Sequence, residues 1–299
     1  MSTRARALPV ILLAALGVAP PAAAGLFSVA VENGSRQTTL GDTVAYDLYW
    51  PVSAASQPAP PWPTVVLNHG FSRDKSHHAD NARYLAARGI VVLVPNLVSL
   101  LGGEDAQLRN IANTEDHVAW LKARTATPGD PLFGLVDRAR IGLAGHSAGG
   151  AIAFEAAVGL GPDVEALLLL DAVPWSRTLS VAGALEIPYF ASLRSDPSAC
   201  NAAGSVVALL SRLAFPSLDV RLVGATHCDP ENPTDLLCAF GCGGTSATRR
   251  SLYQRLQYLF LQDALGVPSV ESPPDTYGAA LLQGVRETTL VITPVSPRP

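Results

Sequence analysis

Six residues, Gly145-His146-Ser147-Ala148-Gly149-Gly150, set one serine hydroxyl among small neighbours. The apolar Ile141-Gly142-Leu143-Ala144 precedes them, and the helix-forming Ala151-Ile152-Ala153-Phe154-Glu155-Ala156-Ala157 follows. In a strand–turn–helix setting, G-x-S-x-G is a nucleophile elbow. The turn is so sharp that side chains at Gly145 and Gly149 would strike the neighbouring backbone. It holds the serine oxygen out of the sheet at a helix N-terminus, where developing negative charge is favoured. A glycine-rich turn carrying an incidental serine is the plain alternative.

A serine hydroxyl needs a base. His69 ends an apolar run, His77 and His78 sit in a polar loop, His117 lies in a helical pattern and His146 belongs to the elbow itself. Only His227, in Gly224-Ala225-Thr226-His227-Cys228-Asp229, comes after Ser147, and it follows an apolar strand ending at Val223. Two carboxylates compete to orient it. Asp171 directly ends four consecutive leucines, so it would be rigid and partly desolvated. Asp196 follows the next strand in Leu193-Arg194-Ser195-Asp196-Pro197, where a turn role is equally natural. Local chemistry favours Asp171 and keeps Asp196 as the alternative. An oxyanion requires two backbone N–H donors. Ala148 supplies one, next to the nucleophile, and the Asn68-His69-Gly70-Phe71-Ser72 turn offers the Phe71 amide as the other.

These residues must be positioned by the elements around them. Leu26–Glu32 and Val44–Val52 read as strands around a turn at Asn33-Gly34-Ser35. The runs Thr64–Leu67, Ile90–Val94, Arg140–Ala144, Val164–Leu170, Ile187–Leu193 and Leu218–Val223 are of buried-strand type. Helical patterns occupy Asn81–Arg88, Asp105–Arg124 and Thr245–Ala264. Strands apolar on both faces, alternating with helices, predict an α/β fold with a mostly parallel sheet. Ligands of such sheets sit at the carboxyl ends of the strands. Only 15 residues separate Asp171 from Ile187, too few for a large lid domain. A shallow cleft flanked by Phe71 and Trp175 is expected.

The chain has 299 residues, 48% hydrophobic and 15% charged, which excludes a disordered protein. A pI near 5.8 leaves no basic footprint for nucleic acid. Residues 1–24 read as a secretory signal: Arg4 and Arg6, then apolar Ala7–Val18, then Ala22-Ala23-Ala24. That apolar run is well short of the roughly 20 residues a membrane span needs. The domain is expected over 25–275, with 276–299 a tail of no assigned role. Export makes Cys200, Cys228, Cys238 and Cys242 available as disulfides. The expected pairs are Cys200–Cys228 and Cys238–Cys242. A zinc site using Cys228, Cys238, Cys242 and His227 is disfavoured, because an exported protein oxidises such thiols. There is no phosphate loop, no G-x-G-x-x-G and no metal-spaced cluster, so no metal or cofactor is expected.

From Pro63 to Leu265 the chain resembles the secreted α/β-hydrolases that include chlorophyllase-like esterases, platelet-activating-factor acetylhydrolases and poly(ethylene terephthalate) hydrolases. The resemblance is carried by Gly145–Gly150 with the preceding Val136-Asp137-Arg138-Ala139-Arg140-Ile141-Gly142. Chlorophyllases carry an arginine where this chain has Ala148. Polyester hydrolases usually carry a bulky residue there and a tyrosine near Phe71. The resemblance implies a metal-independent serine esterase with nucleophile Ser147 and base His227. In chlorophyllases and platelet-activating-factor acetylhydrolases, an aspartate also ends the strand corresponding to that before Asp171. The expectation is a secreted or periplasmic monomer that cleaves small-molecule or polymeric esters, binds no nucleic acid and has no span in its mature chain. A polyester or cutin-type depolymerase, an amidase or peptidase, and a non-catalytic binding protein on the same scaffold are the alternatives.

Overall fold

The computed structural model describes residues 26–55, 57–98, 103–270 and 275–297. The expected signal segment, residues 1–24, lies outside the described residues. Among the described residues, nine strands form one sheet in the order β1-β2-β4-β3-β5-β6-β7-β8-β9. The strands are β1 (Ser28–Gln37), β2 (Thr43–Val52), β3 (Trp62–Asn68), β4 (Val91–Pro95) and β5 (Val136–His146), then β6 (Ala166–Leu170), β7 (Tyr189–Arg194), β8 (Ser217–Leu222) and β9 (Leu290–Val295). From β4 through β8 every neighbouring pair is parallel. The β1–β2, β2–β4 and β8–β9 pairs are antiparallel. The helices are α1 (Ala79–Ala86), α2 (Gly103–Arg124), α3 (Ala148–Leu160) and α4 (Ser176–Val181), followed by α5 (Val206–Leu210), α6 (Leu236–Cys242), α7 (Ala247–Leu265) and α8 (Tyr277–Arg286). This is the α/β-hydrolase fold that the sequence predicts.

The central strands carry apolar runs because each feeds two cores. In β6, Leu167 and Leu169 join one cluster with Ile111, Val118 and Ile152 of α2 and α3. Ala166, Leu168 and Leu170 join the other, with Leu85 of α1 and Tyr253, Leu256 and Leu259 of α7. Alternation along a strand sends successive side chains to opposite faces. Helix α7 stops at Gly266, whose left-handed conformation (φ 62°, ψ 39°) lets its N–H return to the Gln262 carbonyl.

Two readings of the sequence are corrected here. Asn33-Gly34-Ser35 is not a turn: β1 runs through it, paired with Asp47, Tyr46 and Ala45. Glycine is needed at 34 because a Cβ there would stand 2.8 Å from the Tyr46 hydroxyl. The chain turns later, at Thr38–Asp42, where Thr38 N–H donates to the Asp42 carbonyl at 2.8 Å. The segment read as a tail, 276–299, instead forms α8 and β9 and closes the sheet edge against β8. Pro294 is tolerated there because an edge strand has one side without a partner. Among the described residues, no helix is long and apolar enough to cross a membrane.

Candidate active site

Ser147 stands between β5 and α3 with φ 56° and ψ −123°, a conformation that non-glycine residues rarely adopt. Tertiary contacts hold it there. Ser147 N–H donates to the Leu170 carbonyl at 3.1 Å, and the Ser147 carbonyl accepts from Val173 N–H at 3.1 Å. The elbow therefore rests on the end of β6. A Cβ on Gly145 would collide with the Gly149 carbonyl, and one on Gly149 with the carbonyls of His69 and Asn68. On Gly150 it would stand 2.6 Å from the Ala172 methyl. Gly145 and Gly149 are thus fixed by backbone packed too closely for a side chain, and Gly150 by the Ala172 methyl against it.

Asp171 is the first residue past β6 and is almost fully buried, at 1% exposure. Leu170 pairs with Leu193 in β7, which brings the end of β7 alongside it. Ser195 consequently donates to Asp171 twice, through its N–H at 3.1 Å and its hydroxyl at 2.6 Å. The Asn201 amide lies 3.3 Å from both carboxylate oxygens. His227 Nδ1 is 2.6 Å from Asp171 Oδ2, and its Nε2 is 2.9 Å from Ser147 Oγ. An ionised carboxylate only accepts, so Nδ1–H donates to Asp171 and Nε2 is left to accept the serine proton. Burial pushes the Asp171 carboxyl up, but hydrogen bonds from His227 and Ser195 outweigh it and hold the group below its usual range.

Asp196 faces elsewhere. It pairs with Arg221 of β8 and accepts from Gly224 N–H at 2.8 Å, closing the β8 loop without touching His227. Of the two competing carboxylates, Asp171 is the one bonded to the histidine.

The β3–α1 turn lies against the serine: a Cβ on Gly70 would be 3.1 Å from Ser147 Cβ and 3.2 Å from His146 Nδ1. His69 braces this turn. Its Nε2 accepts from Leu97 N–H at 2.9 Å, so Nδ1–H donates to the Gly70 carbonyl at 2.8 Å. Phe71, the next residue, is half exposed beside the site. Ala148 opens α3, where the helix provides no acceptor for its N–H.

Several supports carry no sequence signal beyond their residue type. His146 Nε2–H donates to the His227 carbonyl at 2.7 Å. Burial, and then the neighbouring His227, push its pKa down to about 3, so it remains a neutral donor. Arg73 binds the buried Glu231 with two bonds, at 2.8 and 2.6 Å, tying the His227 loop to the loop bearing Phe71. Asp229 accepts from Thr226 N–H, Ser246 N–H and Arg249, which pins the same loop to the start of α7.

The disulfides are Cys200–Cys242 and Cys228–Cys238, not the expected Cys200–Cys228 and Cys238–Cys242. Cys238 and Cys242 are both in α6. Side chains four apart on a helix hold their Cβ atoms ~5–6 Å apart, beyond the ~3.8 Å of a disulfide. Each cysteine therefore bonds outward. The sulfurs of Cys228, Cys238 and Cys242 lie within 4.8 Å of one another, but all are spent in these two bonds.

No curated protein matches the chain. Residues 52–176, which include the β3–α1 turn, the elbow and Asp171, match the family model described as Chlorophyllase, and the chain is thereby similar to a family of α/β-hydrolase-like esterases.

Proposed function

We propose that the protein is a secreted serine esterase that works through an acyl-enzyme. The observation that carries this reading is the unbroken hydrogen-bond chain Ser147–His227–Asp171 at the carboxyl ends of β5, β8 and β6. Ser147 attacks the ester carbonyl while His227 takes its proton through Nε2. The tetrahedral oxyanion is held by the Phe71 and Ala148 amides. His227 then protonates the leaving alcohol, and water, activated by the same imidazole, releases the acid. Asp171 keeps His227 in the Nδ1–H form and stabilises it when charged. None of these steps calls on a metal or cofactor. The protein acts as a monomer. Two disulfides support export, as does the signal-like segment 1–24.

The test is a panel of p-nitrophenyl esters from acetate to palmitate, run beside an anilide and a polyester film. Short-to-medium esters are expected to turn over fastest. Ser147→Ala should abolish hydrolysis with the fold intact, and a fluorophosphonate should label Ser147 alone. Full activity in Ser147→Ala, or anilide cleavage outpacing ester cleavage, would reject the esterase reading.

A further inference from the structure

Helix α6 reads Leu-Leu-Cys-Ala-Phe-Gly-Cys, with no charged side chain and no buried residue. Leu236, Leu237 and Phe240 expose 75%, 75% and 86% of their surface. At 3.6 residues per turn, Leu236 and Phe240 fall on the side opposite Cys238 and Cys242, with Leu237 flanking them. A helix of this length has no stability of its own in water, where about 12–15 residues are marginal. Burial does not hold it either.

Three ties do. Asp235, its N-cap, binds Arg73 at 3.1 Å. Cys238 is bonded to Cys228, and Cys242 to Cys200. Each tie leads to a loop of the candidate active site. Arg73 is two residues past Phe71, Cys228 adjoins His227, and Cys200 precedes Asn201, the residue beside Asp171. These loops leave the carboxyl ends of β3, β8 and β7, so α6 lies across the active-site end of the sheet with its apolar side in water.

We propose that this side of α6 docks the enzyme onto a liquid phase of neutral ester, an acylglycerol droplet, and presents the cleft to it. Large apolar side chains held in water by cross-links mark an interaction surface rather than a stabilising one. The occupant is liquid because these three side chains protrude, each at least 75% exposed. Protruding side chains sink several ångströms into a fluid boundary, whereas a solid film meets only their tips. It is neutral because α6 carries no lysine or arginine and the chain has a net charge of −4, which gains nothing from anionic headgroups. Turnover of the docked ester rests on the esterase reading; docking itself does not.

The experiment separates the two. Flotation with a tributyrin emulsion compares Ser147→Ala with Ser147→Ala carrying Leu236→Ser, Leu237→Ser and Phe240→Ser. The added substitutions should lower the droplet-bound fraction about tenfold or more. With Ser147 restored, the triple variant should keep its kcat/KM on dissolved p-nitrophenyl acetate and lose rate on the emulsion. Equal flotation of the two proteins would overturn the proposal. So would equal losses on dissolved and emulsified ester, which would make α6 a wall of the cleft. Stronger adsorption to phosphatidylglycerol vesicles or polyester film than to droplets would overturn it too. If no ester is cleaved but flotation still depends on the three side chains, the esterase reading fails and the docking face stands.

Discussion

Asp171 reaches His227 because its backbone is held on both sides: its N–H donates to the Leu193 carbonyl at 2.7 Å, and Ser195 fastens its carboxylate. An asparagine would keep the shape but present an amide to Nδ1, favouring the tautomer that cannot accept the serine proton. Asp171→Asn is therefore expected to lower kcat about 10⁴-fold with KM nearly unchanged, the scale known for triad acids. Asp196→Asn removes a partner of Arg221 and should change kcat by no more than a few fold. Steady-state kinetics on one soluble ester decides between them, and the reverse ranking would move the orienting role to Asp196. Gly149 is equally specific. Its alanine variant must displace the His69 carbonyl, so it should either fail to accumulate or fold with Ser147 out of reach of His227.

At the scale of elements, the loop bearing His227 is stapled at Cys228, salt-bridged at Glu231 and capped by α6. The Cys228–Cys238 and Cys200–Cys242 bonds close separations of 10 and 42 residues. Unstrained loops of such lengths are each worth about 3–4 kcal/mol in the chain-entropy model. Reduction should thus lower the melting temperature and, by loosening His227, lower kcat in parallel. Peptide mapping without reduction should recover these two pairs. Retention of full activity after complete reduction would mean that Glu231 and Asp229 suffice to hold the loop. The Arg73–Glu231 pair is buried on both sides. Glu231→Gln leaves the guanidinium short of its countercharge, so it should cost stability and activity together.

The whole molecule is sensitive to acid through its interior. Burial, the largest cause in each case, lowers the pKa of His69 to about 4 and of His78, His117 and His146 to about 3. In the unfolded chain these groups titrate near the ordinary 6.5. Above that pH both states are neutral and stability is fully present. Between about 6.5 and 4 the unfolded chain binds protons that the folded one refuses, so stability falls as pH falls, by up to ~1.4 kcal/mol per pH unit for each histidine. Denaturant midpoints at pH 7, 6 and 5 should decline steadily, and a flat profile would count against buried neutral imidazoles. The sheet adds a second global dependence. Truncation after Glu287 removes β9, bares the edge of β8 and uncovers Leu222 and Val220, so a lower melting temperature and aggregation are expected.

The elbow and the run of parallel strands were legible in the sequence because their causes are local, and His227 was legible as the one histidine after Ser147. A turn that admits only glycine and a strand buried on both faces each leave a mark on consecutive residues. Asp171 and Asp196 were both legible as candidates, but choosing between them required the register of β6 against β7, which sets Asp171 beside Ser195 and turns Asp196 toward Arg221. Gly34 read as a turn because glycine has two uses, and only the Tyr46 ring across the strand pair shows that close approach is the one at work. That Cys238 and Cys242 do not pair with each other follows from α6 being a helix, which seven residues cannot announce without the bonds that hold them, and which partner each takes was decided by where the loops of Cys200 and Cys228 lie. The closing strand β9 was hidden by Pro294 and by an alternation that acquires meaning only beside β8. His146, Glu231 and Asn201 left no trace because their partners lie far along the chain, and a contact of that kind exists only once packing has brought the loops together.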